Sequence, residues 1–265
     1  MYFLIYSALA WEPKLVNGET VTWVARSIPY HLNTEHLDYI TDLDIESAIS
    51  AASDVWNSSS FENEESSFKF NLQGYTKNQG ADFSDEEHII SFDKSWTQDP
   101  SLLAITHVWS DSNGNIVHFD IEVNIDDADW TLSNESGKHD LQNSMAHEFG
   151  HALGLEHSDD SEATMAPSTT EGEVQKRDLH QDDVLGVVSL YPLQEDTDDS
   201  PTDNSQNSNS GGSQGGGSID NAITNSSSSG SGSGPVALEK SGCSVASTSA
   251  LWLGILALFQ IRRRK

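Results

Sequence analysis

The sequence predicts an α+β domain, and three observations carry that expectation. An early stretch has apolar residues at helical spacing. Short alternating runs follow it and end in a strong hairpin signal. Two more helical stretches then close the body of the chain.

The elements follow in order. Ile28-Pro29-Tyr30-His31-Leu32 reads as a short strand. Asp44 reads as the cap of a helix running to Trp56, with Ile45, Ala48, Ile49, Ala52 and Trp56 on one stripe. Phe68 to Leu72 alternates as a strand, and so does His88 to Phe92. Leu102–Trp109 and Ile116–Val123 flank Asn113-Gly114, which predicts a hairpin. A helix is expected from about Leu141 to Leu153, and a last one from about Gln181 to Leu190, stopping before Pro192.

The 265 residues hold 13 Lys and Arg against 42 Asp and Glu, a formal net charge of −29. Phosphate binding needs clustered cations, so nucleic acid is excluded as the main partner. The single Cys243 excludes an intrachain disulfide framework and any zinc site built on several cysteines. The charge keeps the surface soluble and self-repelling, and a monomer is expected.

Four regions are expected. Residues 1–10 are almost wholly apolar, and Ala8-Leu9-Ala10 has the small-x-small pattern of a signal peptidase site. The basic n-region is missing, so either the true start lies upstream or the signal is poor; a buried first strand is the alternative. Residues 11–193 form the folded domain. Residues 194–240 turn acidic and then Gly-, Ser- and Asn-rich, the composition of a flexible linker. Residues 241–265 hold Ser241-Gly242-Cys243-Ser244, an apolar run over 245–261 expected as a short spanning helix, and Arg262-Arg263-Arg264-Lys265. This set resembles the C-terminal sorting tags of myxobacteria and related bacteria. The resemblance implies cutting or lipidation near Cys243 and passage to the cell surface or beyond; a plain membrane anchor is the alternative. Both put the domain outside the cytoplasm.

The chemistry concentrates in Met145 to Ser158. His147 and His151 are four residues apart, so on a helix both project from one face. Two imidazoles so placed can approach one zinc ion, and Glu148 beside them can hold a water on the metal as a general base. Gly154 can take positive φ, end the helix and let His157 return as a third ligand. Three neutral imidazoles leave one position open, as in catalytic zinc sites. The pattern H-E-x-x-H-x-x-G-x-x-H fixes five positions over eleven residues, and chance matches are rare. Met165, eight residues after His157, can form an apolar floor beneath the metal.

His147 to His157 together with Met165 resemble the metzincin clan of zinc endopeptidases, and Ser158 resembles the matrixin family within it. Asp140-Leu141-Gln142, Leu179 to Gly186, Tyr191-Pro192 and Leu103 to Thr106 also fit. The resemblance implies a twisted, mixed five-stranded sheet with three helices and zinc in a cleft below an antiparallel edge strand. It also implies a secreted or surface-tethered endopeptidase that cuts protein or peptide substrates. Ala104–Trp109 would be the edge strand that receives substrate as an added strand. Ala166 to about Thr170 would line the pocket for the side chain after the cut. Asp182 and Asp183 match a structural acidic pair that ties the last helix to the methionine turn and the N-terminal segment.

The chain departs from the animal members of that family. Their latency cysteine precedes the domain, whereas Cys243 follows it. His107 and His118 fall where two ligands of a second, structural zinc would be, and with a two-residue turn His107 would face Asp120. The other half of that site is missing, so hairpin surface residues are the alternative. Asp120 also matches a calcium ligand, but Val123 stands where its partner carboxylate would be. Calcium or a second zinc therefore stays open. His31, His36, His139 and His180 are expected as surface or capping residues. Against the enzyme stands a non-catalytic surface display or adhesion module on the same fold; a decayed enzyme would usually lose Glu148 or a histidine ligand, and all four are present.

Overall fold

A computed structural model describes residues 10–62, 64–193 and 255–263. The signal segment up to Leu9, the linker and Cys243 lie outside the described residues.

Strand β1 (Ser27–Asn33) is followed by helix α1 (Asp42–Asn57), then β2 (Lys69–Tyr75), β3 (Ile89–Asp93), β4 (Leu102–Ser110) and β5 (Asn115–Asn124). Helix α2 (Leu141–Ala152), the two-residue strand β6 (Ser168–Thr169) and helix α3 (Gln181–Leu190) follow, and strand β7 (Ile255–Arg263) comes last. The sheet order is β6-β7-β4-β5-β3-β1-β2, with Thr22–Trp23 adding beside the start of β5. β2, β1, β3 and β5 run parallel, while β4 is antiparallel to β5. The sheet is thus mostly parallel, and the five strands β2-β1-β3-β5-β4 correspond to the expected mixed five-stranded sheet with three helices.

Helix α1 packs on α2. Its stripe Ile45, Ala48, Ile49, Ala52 and Trp56 is buried, as the spacing predicts. The cap differs: Thr41, not Asp44, is the N-cap, and its Oγ1 accepts from the Asp44 amide at 3.2 Å. The Thr41 hydroxyl donates back to the Asp44 carboxylate at 2.6 Å. The helix therefore starts almost one turn earlier than expected, with the two polar residues in reciprocal contact.

The hairpin also differs in its turn. Gly114, at φ +83°, follows a tight turn closed by its own amide to the Asp111 carbonyl at 3.2 Å, and the Asp111 amide bonds the Asn115 carbonyl at 2.9 Å. This is a longer loop than the two-residue turn expected from Asn113-Gly114. Ser110 then faces Ile116, the register shifts between Ile116 and His118, and His107 faces Asp120 after all.

Residues 255–261, expected as the end of a membrane-spanning helix, form β7 instead, together with Arg262 and Arg263 of the expected basic tail. It runs antiparallel along β4, from Ile255 opposite Ser110 to Arg262 opposite Leu102. An apolar run of this length suits a buried strand as well as a helix. The outer edge of β4 offers it unpaired amides and carbonyls. Among the described residues no helix is long and apolar enough to cross a membrane. His139 is a further difference. It is 3% exposed beside Trp130, because it pairs into the short ladder that leads into α2 and not at the surface.

Candidate active site

Helix α2 carries the first half of the site. Asp140 caps it, accepting from the Asn143 amide at 2.9 Å, and Arg177 grips the same carboxylate through Nε at 2.8 Å. Eleven of its twelve residues are buried, so packing on every side and not one apolar stripe fixes its rotation. Side chains close its C-terminal end. Trp23 Nε1 donates to the Ala152 carbonyl at 2.8 Å, and the Tyr191 hydroxyl donates to the Leu153 carbonyl at 2.5 Å. Gly154 then takes φ +94°, as the sequence predicts, and a Cβ there would meet the Val21 carbonyl oxygen at 2.3 Å. That turn does two things. It lets the chain bring back His157, and it aims the Leu155 carbonyl at His151.

His147, His151 and His157 come together, with ligand atoms all within 4.8 Å of one another. Their ring centroids are 4.6, 5.3 and 4.9 Å apart in pairs. His147 Nδ1 lies 2.7 Å from the Thr164 carbonyl, and His151 Nδ1 lies 2.8 Å from the Leu155 carbonyl. A carbonyl only accepts, so each Nδ1 carries the proton and each Nε2 keeps a lone pair. The two Nε2 atoms are 3.0 Å apart. Two lone pairs at that distance repel unless a cation lies against both, so the donor set suits a metal. Burial, and then the neighbouring imidazoles, hold His147 and His151 well below the usual histidine range, in the neutral form that a metal needs.

Glu148 is fully buried beside them. The Thr106 hydroxyl of β4 donates to its Oε2 at 2.5 Å, whereas Oε1 is buried with no hydrogen-bond partner. Burial pushes the carboxyl up to about 8, against the opposing pull of Thr106 and the Lys176 ammonium.

Met165 lies under the turn of α2 between the two helix histidines. A Cβ on Gly150 would meet its Sδ at 2.2 Å and Trp56 Cζ2 at 2.8 Å. Asp183 holds the methionine turn by accepting from the Thr164 amide at 2.7 Å and the Met165 amide at 3.0 Å. Asp182 accepts from the Ser158 hydroxyl at 2.7 Å and the Ala10 amide at 2.9 Å. The acidic pair thus makes the ties the resemblance implies. His180 caps α3 in a reciprocal capping box with Asp183.

Two residues near the site make contacts that no sequence pattern marks. Thr106 reaches Glu148 across 42 residues. Lys176 is buried, and its Nζ donates to the carbonyls of Ala166 at 2.5 Å and Ser168 at 3.1 Å, bracing the segment after the methionine turn. Only the tertiary fold makes either contact.

The hairpin residues gather less closely. His118 Nε2 is 3.1 Å from Asp120 Oδ2, while His107 Nε2 turns to Glu122 at 2.7 Å. Asp120 also accepts from the Ile89 amide at 2.9 Å and the Asp82 amide at 3.0 Å, so it staples β3 and the preceding loop to β5. Among the described residues the one group of three His, Cys, Asp or Glu able to hold a metal ion is His147, His151 and His157. His107, His118 and Asp120 are not part of that group.

A mostly parallel sheet, three helices and a triad of imidazoles, two buried and one half-buried, beside a buried carboxylate are the features of the metzincin class of fold. The sequence profile of the matrixin family (Matrixin, Peptidase_M10) matches residues 22–192, and the chain belongs to that family. Matrixins are zinc-dependent metalloendopeptidases. The chain is 32% identical to Metalloendoproteinase 1-MMP of Arabidopsis thaliana over 174 residues, 64% of this chain and 44% of that protein. It is 41% identical to Matrix metalloproteinase-27 of Homo sapiens over 78 residues, 29% of this chain and 14% of that protein. It is 43% identical to Neutrophil collagenase of Homo sapiens over 67 residues, 25% of this chain and 14% of that protein. The chain thus spans less than half the length of these relatives.

Proposed function

We propose that residues 11–193 are a zinc-dependent endopeptidase acting on protein or peptide substrates, with His147, His151 and His157 as metal ligands and Glu148 as base. One observation carries the reading: two neutral imidazoles with their Nδ1 protons parked on carbonyls turn their Nε2 lone pairs toward each other, with His157 close by, beside a buried carboxylate. Zinc, when bound, supplies a Lewis acid that polarises the peptide carbonyl and makes water more acidic.

The chain's own groups do the rest. The Thr106 hydroxyl fixes the Glu148 carboxylate by holding Oε2. Oε1 then takes a proton from the attacking water and passes it to the departing amine nitrogen as the C–N bond breaks. The carbonyl oxygens of Thr164 and Leu155 keep His147 and His151 in the ligating tautomer. Met165 supplies the apolar floor, and the outer edge of β4, when β7 does not occupy it, receives the substrate backbone as an added strand.

The chain is exported, on this reading, as a monomer of the bacterial envelope. Residues 194–240 serve as tether and residues 241–265 as the sorting or membrane tag, with Cys243 as its processing point. The test is a peptide-library digest with and without a zinc chelator. Cleavage should stop with the chelator, and Glu148→Gln should keep its zinc yet lose at least about a thousandfold in rate, the order expected for a general base acting together with positioning. A Glu148→Gln variant with near wild-type turnover would sink the mechanism.

A further inference from the structure

We infer that β7, the chain's own residues 255–263, lies in the substrate groove and keeps the site shut to other peptides. This rests on the endopeptidase reading, and four observations support it.

The first is the edge. β5 takes one side of β4, and β7 takes the other over nearly its whole length. A strand has two hydrogen-bonding edges, so no further peptide can add to β4 while β7 is there. The second is the opposite rim. Arg262 and Arg263 pair in parallel with Ser168 and Thr169, in the segment just after Met165 that Lys176 braces. The strand is therefore held from both sides, as an extended peptide in a groove would be. The third is the register. Phe259 stands opposite Thr106, the residue whose hydroxyl holds Glu148, so the strand crosses at the base. The fourth is burial. His147, Glu148 and His151 have no exposed surface, and every residue of β4 except Trp109 is buried, although a working site must admit a peptide.

Charge favours the same seat. The chain ends in four cations and has a net charge of −29, so the body attracts its own tail. Being part of the same molecule, the strand competes at an effective concentration on the order of a millimolar, which a weak peptide substrate must exceed.

The test keeps the full chain and changes only the ladder. Consecutive amides of a strand alternate sides, so Leu258→Pro together with Phe259→Pro removes a bond to β4 whichever of the two faces it. Amide hydrogen exchange of Leu102–Ser110 is read in the parent and in the variant, beside the rate on a short fluorogenic peptide. In the parent, the β4 amides that face β7 should exchange slowly at every protein concentration. In the variant they should exchange at least tenfold faster, and the peptide rate should rise at least tenfold. Equal protection in both chains would overturn the inference. So would protection that disappears on dilution, which would assign the strand to a second copy. A parent chain cut between 256 and 261 when zinc is supplied would also overturn it, by making the segment a substrate. If protection is lost as expected but neither chain cleaves any peptide, the endopeptidase reading fails and the seating of the strand stands.

Discussion

His147, His151 and His157 were legible in the sequence because one helix and one glycine turn bring them together. Residues four apart share a helix face whatever surrounds them, and Gly154 is the residue type that a φ of +94° requires. Gly150 was not legible as a special position. Inside a helix it costs about 1 kcal/mol relative to Ala, which reads as a weakness. The structure gives its reason: the Met165 sulfur and the Trp56 ring occupy the space a Cβ would need. Gly150→Ala should therefore destabilise the fold by about 1–3 kcal/mol through overpacking, despite the better helix propensity of Ala. Urea unfolding of the two chains measures this, and an unchanged or raised midpoint would mean that Met165 does not sit beneath the helix. Thr106 was illegible for a different reason. Its partner Glu148 is 42 residues away, and no local pattern marks a hydroxyl that will meet a carboxylate across the fold.

Among the elements, α2 and α3 were placed to within a residue, because each has strong end signals: Asp140 and Gly154 for the one, and His180 and Pro192 for the other. Helix α1 starts earlier than the sequence predicts, because Thr41 and Asp44 bond each other and either residue type can cap. The hairpin loop is longer than the sequence predicts, yet His107 faces Asp120 as predicted. The bulge between Ile116 and His118 absorbs the residue that the longer loop displaces. What the element patterns cannot show is how α3 serves the site. Its Asp183 holds the methionine turn through two amides of 2.7 and 3.0 Å. Burial raises this carboxyl, with the amide bonds opposing the shift. Asp183→Asn turns an NH₂ group or a poorer acceptor toward these donors, leaving at least one amide unsatisfied. The expected cost is about 1–3 kcal/mol of stability, together with weaker zinc retention as Met165 loosens. Competition against a graded chelator measures the second effect. Retention equal to the parent would confine Asp183 to a role remote from the metal.

At the scale of the whole molecule, composition allows the apolar run over 245–261 two settings and does not choose between them. A run that suits a bilayer helix also suits a strand against an unpaired sheet edge, and only the fold reveals that edge. The segment cannot lie in a membrane and along β4 at once, so tethering through it and closure of the groove exclude each other. If both proposals hold, activity of the domain follows where residues 255–263 reside. The roles of the metal and of Glu148 are tested most directly where the groove is open. The measurement is zinc titration into chelated full-length chain carrying Leu258→Pro and Phe259→Pro, reading initial cleavage of an unfolded protein against bound metal. The rate should rise in proportion to zinc and level off at one ion per chain, and should stay near zero at the same metal content when Glu148→Gln is added. Turnover without zinc, or full turnover in the Glu148→Gln chain at one ion bound, would contradict these roles.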